Sequence, residues 1–284
     1  MKNENVKVRE GKYLDGINTK RGLPLDFIKK DAEQRLLEPL FDFGGEVEVK
    51  FESEKDVQVY LIGATDEKSW INTAYEINSA TWTKDVIDKA AVVRPLAPDY
   101  ESKQKFTIRQ KLEVLKNDKT TVPFEAFTAQ VAIRGITRAM SVQIERHRQG
   151  GFGESAMRVN DWRKASVRIP LSLVESNDSE LINKYKETII KAYEVYAEMV
   201  DKGIPFEEAR NILPLGHTTY LTITGNLRFW IDYFNARIQD IAQYEHQIIA
   251  YKIMDLFRTH LPLVWEIIET RLYKKPDFEH FDYK

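Results

Sequence analysis

Leu181, Tyr185, Ile189, Tyr193, Tyr196 and Val200 fall on one broad stripe at helical spacing, and Gly203-Ile204-Pro205 closes the run. A stripe of this width must be buried against a partner, and the glycine and proline end the helix. Elsewhere the period is two. Val47, Val49 and Phe51 alternate with charged residues over 46–52, the pattern of a half-buried strand. A chain that carries both periods in separate blocks belongs to the α+β class.

Residues 57–62 and 127–136 add two β-rich runs. Residues 69–80, 82–91 and 104–115 read as helices. Residues 138–148 read as a helix with Arg146-His147-Arg148 at its C-terminal end, and 205–212 as a short helix ended by Leu213-Pro214. From 218 to about 257 there is no proline and one glycine, which predicts one long helix or two in tandem. Strands are therefore expected early and helices late. Residues 1–44, charged and broken by glycine and proline, read as an N-terminal arm, and 45–284 as the main domain.

Forty-two Lys and Arg against 44 Asp and Glu give a net charge of −2, so no global basic field attracts nucleic acid. No apolar run approaches the ~18 residues needed to cross a bilayer, and Met1-Lys2-Asn3-Glu4-Asn5 lacks the apolar region of a signal peptide. The expectation is a cytoplasmic protein with no membrane and no nucleic-acid partner. The chain has no cysteine, which excludes disulfides, thiolate metal sites and cysteine nucleophiles. Its five histidines, His147, His217, His246, His260 and His280, lack the i, i+4 spacing with an intervening Glu of a zinc helix. No metal is expected, although an all-carboxylate site stays open.

The densest polar chemistry lies between Gln143 and Arg158. Successive helical residues differ by about 100°, so Arg146, His147 and Arg148 fan outward to different ligands. Gly150, Gly151 and Gly153 let a backbone approach a bound group and supply N–H donors. Glu154, Ser155 and Arg158 follow. Two readings stand side by side: an anion-binding turn, or a solvated helix end before a flexible loop. A second constellation comprises Arg210, Asn226, Arg228, Asp232, Asn235, Arg237 and Gln239. Asn226, Tyr233 and Arg237 share a helical face, and Arg228 and Asp232 have the spacing of an ion pair. Arg210 and Arg237 suit ligand contact, because a guanidinium grips phosphate or a planar imide bidentately. Tyr185, Tyr193 and Tyr196 read as core or interface, and Tyr244-Glu245-His246 as packing and surface.

These residues resemble the flavin-dependent thymidylate synthases. That family carries Arg-His-Arg followed by Glu, Ser and Arg, matched here by Arg146-His147-Arg148, Glu154 and Arg158, with Gln143 three residues upstream. Gly203-Ile204-Pro205, Ala209-Arg210, Leu213-Pro214-Leu215, Asn226, Arg228, Asn235-Ala236-Arg237 and Ala242-Gln243-Tyr244-Glu245 are similar to its second block. Residues 57–63 and Pro123-Phe124-Glu125 are similar to earlier segments. The resemblance covers roughly 45–260 and implies an α+β protomer with an antiparallel or mixed sheet and long helices, assembled as a homotetramer. It implies FAD as cofactor, dUMP as substrate, and methylenetetrahydrofolate and NADPH as co-substrates. Arg146, His147, Arg148, Asn226, Arg228 and Asp232 fall at its FAD positions. Gln143, Glu154, Ser155, Arg158, Arg210 and Arg237 fall at its nucleotide positions, Arg158 toward the phosphate and Arg237 toward the pyrimidine carbonyls as the catalytic pair. The absence of cysteine agrees, since the alternative route to C5 methylation needs a thiolate that adds at C6.

The sequence departs from the family in places. Glycines occupy the third and fifth loop positions, where Ser and Asn are usual. Ser155 stands one place early, with Ala156 at the serine position, and Val159 replaces an aromatic. Thr120 or Thr121 stands for a histidine, and Asp232 for an asparagine. These departures keep open a paralogue that methylates UMP or hydroxymethylates a pyrimidine nucleotide, and a non-catalytic flavin- or nucleotide-binding protein.

Overall fold

The computed structural model describes residues 46–81, 106–117, 120–158 and 160–283. The arm at 1–44, the helix expected at 82–91 and Val159 lie outside them. Strands β1 (Glu48–Glu52) and β2 (Gln58–Ala64) precede helices α1 (Glu67–Thr81) and α2 (Ile108–Asn117). Strand β3 (Thr128–Thr137) runs directly into α3 (Arg138–Ile144), followed by β4 (Gly151–Glu154), β5 (Lys164–Arg168), the short α4 (Leu171–Glu175) and the long α5 (Ser179–Asp201). Then come α6 (Phe206–Ala209), β6 (Thr218–Asn226), α7 (Leu227–Arg237), α8 (Tyr244–His260) and α9 (Pro262–Arg271).

Four strands form an antiparallel sheet in the order β2-β3-β6-β4, while β1 and β5 pair in parallel as a separate ribbon. One face of the sheet, including Val131, Ile133, Leu221 and Ile223, packs with Trp70, Leu112, Trp230 and Phe257 in the main core. The stripe on α5 enters a second core. There Ile189, Tyr193 and Tyr196 meet Met157, Trp162 and Val167. Both tyrosine hydroxyls are satisfied: Tyr193 is 2.6 Å from His217 Nδ1, and Tyr196 accepts the Trp162 N–H at 3.1 Å.

The α+β class holds, but the expected order of strands before helices does not. Residues 218–226 form β6, not the first turns of a long helix. Their side chains alternate, with Thr219, Leu221, Ile223 and Gly225 buried, so the period is two, not 3.6. Asn226 then caps α7, its side chain accepting from Phe229 N at 2.8 Å, the usual role of Asn at a helix start. The helix expected over 138–148 stops at Ile144.

Candidate active site

Arg146-His147-Arg148 lies in the tight turn between α3 and β4, not on the helix end. His147 N donates to Ile144 O at 3.0 Å, Arg148 N to Arg146 O at 3.0 Å, and Gly150 N to His147 O at 3.1 Å. This winding exposes Arg146 and Arg148 and turns His147 inward, where it is half-buried. The imidazole meets Phe229, Tyr233 and His246 edge-on, with centroids at 6.3, 5.2 and 6.3 Å.

Arg237, the last residue of α7, stands one turn beyond Tyr233 and donates from Nε to His147 Nε2 at 2.9 Å. An accepting Nε2 requires a lone pair, so the proton of the neutral ring is on Nδ1. Burial, and then the Arg237 charge, push the His147 pKa down to about 4. His147 is therefore a neutral acceptor near pH 7 and holds Arg237 without adding a second positive charge.

The remaining candidates are placed as follows. Asn226 and Arg228 both reach the Glu125 carboxylate, Arg228 Nη1 at 3.5 Å, so Arg228 takes Glu125 and not Asp232 as its partner. Asp232 is exposed. Gln143 Nε2 donates to Gln243 Oε1 at 2.7 Å. Glu154 is ion-paired with Arg138, and its Oε1 is buried without a partner. Arg210 is half-buried, its Nε on the Glu207 carbonyl at 3.2 Å, and Arg158 is exposed. Ser155 lines a cavity of about 640 Å³ with Arg134, Trp162, Ser166, Thr219 and Tyr220. Asn235 is structural, since its side chain donates to Arg271 O at 3.0 Å and accepts from Tyr273 N at 2.7 Å. Glu245 and His246 are both buried, and the Glu245 carboxylate takes the N–H and hydroxyl of Thr137 at 2.9 and 2.8 Å. Those two are packing, while Tyr244 is partly exposed and donates from its hydroxyl to Asp282 O at 2.9 Å, so the stretch is packing and surface as expected.

The glycines have a packing role that the sequence does not show. Gly151 and Gly153 lie in β4, paired with Thr224 and Thr222 of β6. A Cβ on Gly150 would lie 2.7 Å from Phe229 Cε2, so this glycine makes room for an aromatic ring. The sequence by itself assigns no role to Glu125, Arg138 or Gln243. Glu125 does fall in the matched Pro-Phe-Glu segment, but its contact with Asn226 spans 101 positions and has no local signal.

The buried histidines set a pH dependence. Burial lowers His217 to about 3 and His246 still further, with Arg138 and Arg237 respectively as the nearby charges that add to it. The unfolded chain binds these protons, and that of His147, near pH 6.5; the folded chain binds them only well below. Their contribution is complete above 6.5 and is lost as pH falls. Glu54, raised to about 6 mainly by burial, has the opposite sign below pH 6. The thermal midpoint is therefore expected to fall from pH 7 to 6. His217→Leu should lower the midpoint at pH 7, because Tyr193 loses its bond, yet flatten this limb by about a third. An unchanged slope in a pH series of melts would refute the assignment.

The fold and site define an α+β protein with an antiparallel sheet and an arginine–histidine pair formed between the end of α7 and the turn after α3. The family model described as Thy1, thymidylate synthase complementing protein, matches residues 61–263. The chain belongs to this family. It is 32% identical over 145 residues to the flavin-dependent thymidylate synthase of Synechocystis sp., covering 47% of this chain and 67% of that one. It is 29% identical over 133 residues to the enzyme of that name from Pyrococcus furiosus, covering 46% and 54%. The chain thus spans between half and two thirds of the length of these relatives. The crystal structure of the UMP/dUMP methylase PolB from Streptomyces cacaoi, bound with 5-Br dUMP, has the same fold. Its TM-score is 0.59 at 18% identity, over 79% of this chain and all of that one. Among the described residues no helix is long and apolar enough to cross a membrane, and no group of three or more His, Cys, Asp or Glu could hold a metal ion.

Proposed function

We propose that this chain methylates a pyrimidine nucleotide, dUMP or UMP, at C5, with FAD as bound cofactor, methylenetetrahydrofolate as one-carbon donor and NADPH as reductant. The observation that carries the reading is the Arg237–His147 hydrogen bond, which joins the two motif blocks across 90 positions. Arg237 would face the pyrimidine carbonyls and stabilise negative charge developing on the ring. Gln143, Glu154, Ser155, Arg158 and Arg210 would bind the rest of the nucleotide. The like-folded protein from Streptomyces cacaoi, a UMP/dUMP methylase, supports either nucleotide as substrate.

The residues present fit a flavin dinucleotide. Arg146 and Arg148 are exposed and have no carboxylate partner among the described residues, the state expected of guanidinia reserved for phosphate. Asn226 and Arg228, steadied by Glu125, and Asp232 would complete its contacts. When bound, the flavin supplies the hydride chemistry. The protein binds and orients the base and polarises it without a cysteine. Arg148→Ala is expected to weaken flavin binding first, by about 10–100-fold, the loss of a charged hydrogen bond. Flavin retained at wild-type affinity, measured by titration of the apoprotein, would contradict this role.

Anaerobic turnover of dUMP and of UMP with methylenetetrahydrofolate and NADPH, with products resolved by mass, tests the function. A methyl gain supports it. A hydroxymethyl product replaces it with the diverged one-carbon reaction. No product, with flavin and nucleotide both bound, leaves a non-catalytic binder. The same reading carries a homotetramer, measured by light scattering.

A further inference from the structure

Three polar rings meet beside the Arg237 guanidinium, and two of them have no part in the function proposed above. His246, in the first turn of α8, is fully buried, and neither of its ring nitrogens has a hydrogen-bond partner. Tyr233 is equally buried and its hydroxyl is unpartnered. The rings close a triangle with His147: centroids are 5.2 Å apart for His147–Tyr233, 5.6 Å for Tyr233–His246 and 6.3 Å for His147–His246. The other rings on Tyr233 are Phe229, Trp230 and Phe234, and the Trp230 N–H is already given to the Gly225 carbonyl at 3.0 Å.

A neutral imidazole carries one donor and one acceptor, and a phenol carries both. The unused polar atoms of Tyr233 and His246 therefore complement each other and the Nδ1–H of His147. Phenylalanine and leucine would fill the same space without burying three unmatched polar atoms, which are costly to leave unmade. Burial, with the charge of Arg237, keeps both imidazoles neutral, so each can act as a directed donor–acceptor. A small ring rotation or one bridging water connects such groups at this range.

We propose that Tyr233 and His246 are positioning residues that hold His147 in the Nδ1–H tautomer and thereby aim the Arg237 guanidinium. The tautomer role rests on the burial and juxtaposition of these three rings, and the aim at a nucleotide base rests on the function proposed above.

The test uses flavin-loaded protein labelled with ¹⁵N-histidine, as wild type, Tyr233→Phe, His246→Leu and His246→Gln. Wild type is expected to show His147 predominantly protonated at Nδ1 near pH 7. Tyr233→Phe and His246→Leu should give mixed tautomers. His246→Gln, which keeps a donor and an acceptor, should restore the wild-type pattern. In turnover of dUMP or UMP, the first two variants should lose about 10-fold in kcat with KM within about twofold, as for a misaimed group. The near-isosteric Tyr233→Phe should melt no lower than wild type. An unchanged His147 tautomer in both Tyr233→Phe and His246→Leu overturns the proposal. A wild type that turns over no nucleotide overturns the function above, and the tautomer readout still decides the positioning role.

Discussion

Replacing Arg237 by alanine is expected to lower nucleotide turnover by about 10²–10³-fold, the usual cost of removing one donor aimed at developing negative charge, while the flavin stays bound. The two effects separate because Arg237 and the exposed pair Arg146 and Arg148 stand on different elements. Arg237 ends α7, whereas Arg146 and Arg148 sit in the turn after α3. A second signature should accompany the loss. The Arg237 charge is the second cause, after burial, of the depressed His147 pKa. Its removal should raise that pKa, although burial keeps it below 6.5. Arg237→Lys keeps a charge but lacks the planar fork, so it should recover little activity. Flavin lost together with the fold, or turnover within a few-fold of wild type, would refute the role.

Gly225→Ala is expected to destabilise the protein by about 3 kcal/mol or more, at the upper end for overpacking a core, and to lower the thermal midpoint by about 6–12 °C. A Cβ there would collide with Phe229 Cδ1 and lie 2.7 and 2.8 Å from its Cγ and Cε1. The ring cannot retreat. It is 2% exposed and packed against Trp230, Tyr233, Phe152 and His147. Gly150 confines it from the other side. The damage should therefore reach His147 and weaken flavin and nucleotide binding as well. Gly63→Ala is the control. A Cβ there meets nothing within 4 Å, and its effect should stay within about 0.5 kcal/mol. Equal melting of the two variants would show that Phe229 is not pinned.

Legibility in the sequence followed the range of the interaction. The α5 stripe and the strand near 46–52 could be read because their side chains report a local period, and those near 57–62 and 127–136 because β-branched and aromatic residues cluster there. Strand β6 was equally local but obscured: Thr-Thr-Tyr-Leu-Thr-Ile-Thr is β-branched and alternating, the signal of a strand. The lack of proline was the weaker guide to a helix. Gly150, Gly151 and Gly153 could be found but not interpreted, because what they make room for lies on β6 and α7.

By itself the sequence determined the chemical inventory: no thiol, an Arg-His-Arg turn, and arginines in a second block. It also determined which stretches are amphipathic, since these properties reside in single residues or neighbouring turns. Tertiary structure alone decided which groups act together. It turned His147 inward and Arg146 and Arg148 outward, gave His147 Nε2 to Arg237, set Glu125 beneath Asn226 and Arg228, and enclosed Tyr233 with His246. Burial and pairing across roughly a hundred positions create those relations, and they depend on the packing of the sheet against α7 and α8, which no local period records.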